Sequence, residues 1–144
     1  NIMTKLQILT SPSHPVVGFD YINLQPTEQL DSKLSSYSDN QCELILAAEL
    51  IDQVESENIN EILSKICSKL RLGGKLVVGG TDLNLFCKSV NNDLINEKSA
   101  SHHVGACKSM LTISSVEKLL AGLGLQLEYS RINGTTYEVS GIRR

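Results

Sequence analysis

The residues able to move protons, hold metals or attack carbon in this 144-residue chain are three histidines, four cysteines and sixteen acidic side chains. His102 and His103 stand side by side in a polar, small-residue-rich stretch from Lys98 to Met110, which reads as a long loop. A histidine in a loop that covers a site is placed to act as a general base, because its charge changes near neutral pH. The competing reading is a pair of solvated loop residues, since no acidic side chain is matched to them by spacing. They lack metal-ligand spacing, and no metal is expected. Cys42, Cys67, Cys87 and Cys107 form no CxxC pair and have no histidine in a local motif, so four separate reduced thiols are expected. Glu49 and Asp52 follow an apolar run, at a strand end where sites gather, or else begin a surface loop. Asp82 precedes a helix, which its carboxylate would cap, or it would touch substrate. No GxSxG elbow, Walker loop or zinc motif is present.

Composition narrows the setting. The chain is 41% hydrophobic and 20% charged, with net charge −3, as in ordinary globular proteins. No basic stripe is present, so nucleic acid is not signalled as a partner. No apolar run reaches the roughly twenty residues of a membrane span. The unpaired cysteines and the lack of a signal peptide lead us to expect a cytoplasmic setting.

The elements that must position these residues alternate. Strands are expected at Lys5–Thr10, Phe19–Leu24, Cys42–Ala48 and Lys75–Val78. Pro26 suits a first helical position, and Leu30, Leu34 and Tyr37 mark a short amphipathic helix. Ile59, Ile62, Leu63, Ile66, Cys67 and Leu70 make a 3.6-period stripe, which Gly73-Gly74 is expected to end. Further helices are expected over Leu83–Leu94 and after a cap at Thr112 or Ser114. A closing hairpin around Asn133-Gly134 admits two registers. A three-residue loop, Ile132–Gly134, is preferred because it pairs Tyr129 with Tyr137 and Leu127 with Val139. This order predicts one α/β domain over residues 1–144: a Rossmann-like, mainly parallel sheet flanked by helices, with a C-terminal antiparallel β-hairpin.

Several stretches in order carry a resemblance. They are Leu6–Thr10, Tyr21-Ile22-Asn23-Leu24-Gln25, Glu43–Val54 (ELILAAELIDQV), Leu70-Arg71-Leu72-Gly73-Gly74-Lys75-Leu76, Thr81-Asp82, and Leu111–Leu125. Together they resemble the small class I S-adenosylmethionine-dependent methyltransferases over nearly the whole chain. The resemblance implies a cofactor crevice outside the carboxyl ends of the first parallel strands. It also implies that Thr10, Ser11, Gln25, Ala47, Ala48 and Glu49 form a cofactor-binding crescent for S-adenosylmethionine. His102, His103 and Asp82 are the candidates for catalysis, and the methyl acceptor is an unidentified small molecule or protein.

The sequence departs from the family pattern at the crevice. The first loop, Thr10-Ser11-Pro12-Ser13-His14-Pro15, has no glycine and two prolines, which remove backbone donors. Gln25 stands where the family has an acidic residue for the ribose hydroxyls. Two readings follow: a methyltransferase, or a catalytically inactive scaffold or interaction domain with the same fold.

Overall fold

A computed structural model describes residues 3–10 and 15–144. Its inner strands are the apolar runs. Strand β1 (Thr4–Leu9) buries Leu6, Ile8 and Leu9, and β3 (Cys42–Ala47) buries Cys42, Ile45 and Ala47. Strand β4 (Leu70–Thr81) buries every residue from Leu76 to Thr81. Strand β2 (Asp20–Asn23) lies at an edge and is mostly exposed. A 3-10 turn (Thr27–Gln29) and helix α1 (Leu30–Leu34) link β2 to β3, and Leu30 and Leu34 face the core. Another 3-10 turn (Ile51–Gln53) and helix α2 (Ser56–Cys67) link β3 to β4. Ile59, Ile62, Leu63 and Ile66 are buried on α2, as the 3.6-residue period requires.

The helix stops earlier than its apolar stripe suggests. The N–H groups of Asn40 and Cys42 bond to the carbonyls of Ser68 and Lys69 at 3.1 and 2.7 Å, which draws this segment into the sheet. Leu70 is therefore the first strand residue, opposite Cys42. Gly73-Gly74 is not a helix stop. It lies within β4, where the register against β3 shifts, and Gly73 takes φ 79°. A Cβ on Gly74 would sit 2.8 Å from the Arg71 carbonyl oxygen and 2.9 Å from that of Cys42.

After β4 come helices α3 (Leu83–Asn91), α4 (Glu97–Ala106) and α5 (Ile113–Gly122). Helix α4 corrects the expectation of a long loop. The Asn96 side chain caps it, accepting from the Ser99 N–H at 2.8 Å. Only Ala100 is buried along it, so no apolar stripe announced it. Helix α5 begins at Thr112, whose hydroxyl accepts from the Ser115 N–H at 3.2 Å.

The hairpin pairs β5 (Leu125–Asn133) with β6 (Thr136–Arg143) in neither expected register. Asn133 faces Thr136 and Ile132 faces Tyr137, so the loop is Gly134-Thr135. Gly134 has φ 65°, at the first central position that glycine takes in a type II′ turn. That register carries Tyr129 opposite Ser140, and a shift between Leu127 and Tyr129 then sets Leu127 opposite Gly141. Matching apolar residues misled because β5 is an exposed edge strand, buried only at Leu125.

The sheet order is β2-β1-β3-β4-β6-β5. The pairs β1–β2, β1–β3 and β3–β4 are parallel, and those made by β6 are antiparallel. From β1 the chain first builds outward to β2, then returns to place β3 on the other side of β1. The strand order thus reverses between β1 and β3, and in open α/β sheets ligands settle outside the carboxyl ends at such a point. Among the described residues no helix is long and apolar enough to cross a membrane.

Candidate functional site

The carboxyl ends of the parallel strands share one edge of the sheet, and Glu49, Asp52, Asp82, His103 and Cys107 collect there. At the reversal point, the Thr10 hydroxyl after β1 donates to Glu49 Oε2 after β3 at 2.8 Å. After β2, Gln25 Nε2 donates to the Gln53 carbonyl at 3.1 Å. Ala47 is fully buried at the end of β3, and Ala48 and Glu49 are exposed. The expected crescent therefore lies along one edge, with its polar groups tied within the chain. Ser11 lies outside the described residues.

Beside Glu49 a cavity of about 400 Å³ opens over the ends of β3 and β4. The 3-10 turn after β3 supplies Asp52, β4 supplies Thr81, the end of α4 supplies His103 and Cys107, and β6 supplies Tyr137. Tyr137 reaches this edge because β6 runs antiparallel to β4, which puts its first residues beside the last residues of β4.

Asp52 is 8% exposed and held from two sides. Its Oδ1 accepts from the Thr81 N–H at 2.8 Å, and its Oδ2 accepts from the Thr81 hydroxyl at 2.7 Å. Its carbonyl accepts from the Lys108 N–H at 2.7 Å, and the neighbouring Ile51 carbonyl accepts from the Ser109 hydroxyl at 2.7 Å. The two glycines before Thr81 permit this approach. A Cβ on Gly80 would stand 2.8 Å from Asp52 Oδ1, and one on Gly79 would strike the carbonyl oxygens of Ala48 and Tyr137.

His103 Nε2 lies 2.8 Å from Thr81 Oγ1 and 3.4 Å from Cys107 Sγ. The Thr81 hydroxyl has a single proton, given to Asp52. Its oxygen can then only accept from His103, which assigns His103 the tautomer protonated at Nε2. The ring also packs against Phe86, with centroids 5.1 Å apart. Burial, then the charge of Asp52 and a hydrogen bond to it, pushes the Cys107 thiol up to about 11. Tyr137 is 2% exposed, and its hydroxyl has no hydrogen-bond partner among the described residues. Burial, with Asp52 and Asp82 nearby, raises its pKa above the ordinary phenol value.

The other sequence candidates are placed apart. His102 is exposed and does not line this cavity. The Asp82 carboxylate is taken up by the backbone: Oδ2 accepts from the Leu85 N–H and caps α3, and Oδ1 accepts from the Ile113 N–H at the start of α5, each at 2.8 Å. Sequence reasoning missed the grouping of Asp52, His103 and Cys107. Its one signal was the four-residue spacing of His103 and Cys107, which carries meaning only on a helix. Reading residues 98–110 as a loop hid that pair; on the helix, Cys107 does have a local histidine partner.

No family model matches the chain, and no curated protein matches it in sequence. Solved structures do match in fold. The S-adenosylmethionine dependent methyltransferase from Mesorhizobium loti aligns with TM-score 0.63 at 14% identity, covering 97% of this chain and 80% of that one. A SAM dependent methyltransferase from Archaeoglobus fulgidus aligns with TM-score 0.60 at 11% identity, covering 88% of this chain and 68% of that one. An O-methyltransferase family protein from Burkholderia thailandensis aligns with TM-score 0.60 at 12% identity, and the chain spans 36% of its length. The chain has the class I methyltransferase-like fold: a mainly parallel α/β sheet closed by an antiparallel hairpin.

Proposed function

We propose that this chain is an S-adenosylmethionine-dependent methyltransferase domain over residues 1–144, with cofactor across the ends of β1, β2 and β3 and the methyl acceptor in the adjoining cavity. The observation that carries this reading is the position of the 400 Å³ cavity, which opens over the ends of β3 and β4 with Glu49 in its lining, next to the reversal of strand order between β1 and β3. The donor set there suits the cofactor's hydroxyl and cationic parts. Glu49 offers a carboxylate to the ribose diol or the ammonium group, and the Gln25 carbonyl oxygen offers a neutral acceptor. Ala48 leaves room for a flat base at the end of β3. The cofactor would supply an activated methyl on a sulfonium. The chain's part is to align acceptor and methyl and to exclude water from them. His103 and the Tyr137 hydroxyl would orient an acceptor of small size, or the side chain of a protein. Four free thiols support a cytoplasmic setting.

A second reading has its own observation. The Thr10–Glu49 and Gln25–Gln53 hydrogen bonds already satisfy groups that a cofactor would use, which favours a scaffold that keeps the fold without the ligand. Thermal unfolding with S-adenosylmethionine and with S-adenosylhomocysteine separates the two. Ligand at a hundred times its dissociation constant adds about 2.7 kcal/mol of stability. An upward shift that Glu49→Gln and Gln25→Ala diminish supports the enzyme. An unchanged midpoint at millimolar ligand removes it in favour of the scaffold.

A further inference from the structure

We infer that Asp52, His103 and Cys107 bind a divalent cation of the zinc type at the floor of this cavity. One ligand atom from each residue is available, and all three atoms lie within 4.8 Å of one another. Nitrogen and sulfur ligands on one tetrahedral zinc stand about 3.5 Å apart, given bond lengths of roughly 2.0–2.3 Å. His103 Nε2 and Cys107 Sγ are 3.4 Å apart without any ion. Their spacing of one helical turn sets both on the same face at the end of α4. Asp52 comes from a separate element, fixed on the sheet edge by two bonds from Thr81. Those bonds do what outer partners of a metal ligand do: they orient the carboxylate, whose bond from the Cys107 thiol a cation would replace.

A second observation points to an occupant. Tyr137 lines the same cavity, is 2% exposed, and has a hydroxyl without a hydrogen-bond partner among the described residues. A buried phenol left unpaired costs about 1–3 kcal/mol. Three protein ligands leave a fourth zinc position open for water or a substrate atom, and a group held there would accept the phenol's hydrogen bond. The mixed oxygen, nitrogen and sulfur set favours zinc over magnesium or calcium, which prefer oxygen alone.

Binding balances simply. The cation replaces the Cys107 thiol proton, which leaves to solvent, forming a metal–thiolate bond. His103 carries its proton on Nδ1 once Nε2 bonds the metal. No electron is transferred. The site needs no S-adenosylmethionine, so it is tested apart from the methyl-transfer reading.

The test uses the full chain, freed of metal with a chelator and titrated with Co²⁺ in the absence of cofactor. A thiolate-to-cobalt charge-transfer band should grow to one equivalent and vanish when Zn²⁺ is added. Cys107→Ser should abolish the band, and His103→Ala should weaken Co²⁺ binding by at least about tenfold. Cys87→Ser, which alters an exposed thiol, should leave both unchanged. Far-UV circular dichroism confirms that each variant is folded. Absence of the band in the unaltered chain overturns the inference, as does a band that survives Cys107→Ser.

Discussion

Thr81 gives both its N–H and its hydroxyl to the carboxylate of Asp52, at 2.8 and 2.7 Å, across 29 residues of sequence. The pair pins the turn after β3 to the end of β4. Asp52→Ala should therefore cost about 3 kcal/mol in urea unfolding, because it leaves a buried N–H and hydroxyl without an acceptor. Asp52→Asn keeps one acceptor and should cost about 1 kcal/mol. Equal losses for the two variants would show that the charge and second acceptor oxygen of the carboxylate, which both variants lack, carry its whole contribution.

Neighbouring glycines should behave differently. A Cβ on Gly79 meets backbone on both sides, the carbonyls of Ala48 and Tyr137, and neither can move without parting strands. Gly79→Ala should cost at least about 3 kcal/mol. A Cβ on Gly80 meets a side chain first, Asp52 Oδ1 at 2.8 Å. Gly80→Ala should cost about 1–2 kcal/mol and displace Asp52 from Thr81. Amide hydrogen exchange at Thr81 reads this out: it should quicken in Gly80→Ala at matched global stability.

Asp82 ties two helices to the sheet, through Leu85 and Ile113. Asp82→Ala should destabilise by about 2 kcal/mol, more than loss of a single cap, and Asp82→Asn by well under half of that. Chemical denaturation checks the ranking. A neutral Asp82→Ala would mean that water replaces both bonds.

The thiols differ in reach. Cys87 is exposed and should react first with iodoacetamide, whereas burial pushes Cys42 and Cys67 each up to about 11. Raised thiol values also bear on folding. Between the ordinary value of 9.0 and about 11, the folded chain holds protons that the unfolded chain has lost. Stability from this source is complete below pH 9 and is lost as pH rises toward 11. Urea midpoints across that range should fall, and Cys42→Ala with Cys67→Ala should flatten the fall.

The fold was legible where packing is two-sided. The runs around Ile45 and Val77 are covered on both faces and read as inner strands from hydrophobicity alone. The stripe of α2 was equally plain, except at its end, where backbone pairing of Lys69 with Cys42 overrode the periodicity. Helix α4 was not legible, since it buries only Ala100 and is started by an asparagine cap. The hairpin register depended on a turn at Gly134-Thr135 and an irregularity near Glu128, neither of which follows from apolar matching. The candidate site shared the fate of α4. Its residues come from a turn, a strand end, a helix end and the start of β6, so no window of sequence holds it. The strand ends at Thr10, Gln25 and Glu49 were located from their order along the chain, because a parallel sheet puts its carboxyl ends on one side.

Strand β6 lies between β4 and β5, although it is the last of the six in chain order. During synthesis, β4 must wait with a bare edge for some sixty residues, from Thr81 until Arg143 has left the ribosome. An unpaired edge of this length, rich in valine and leucine, invites pairing with other nascent chains. Chains stalled before Thr136 should accordingly depend on chaperones, whereas release of the last strand closes the sheet and the cavity in a single step.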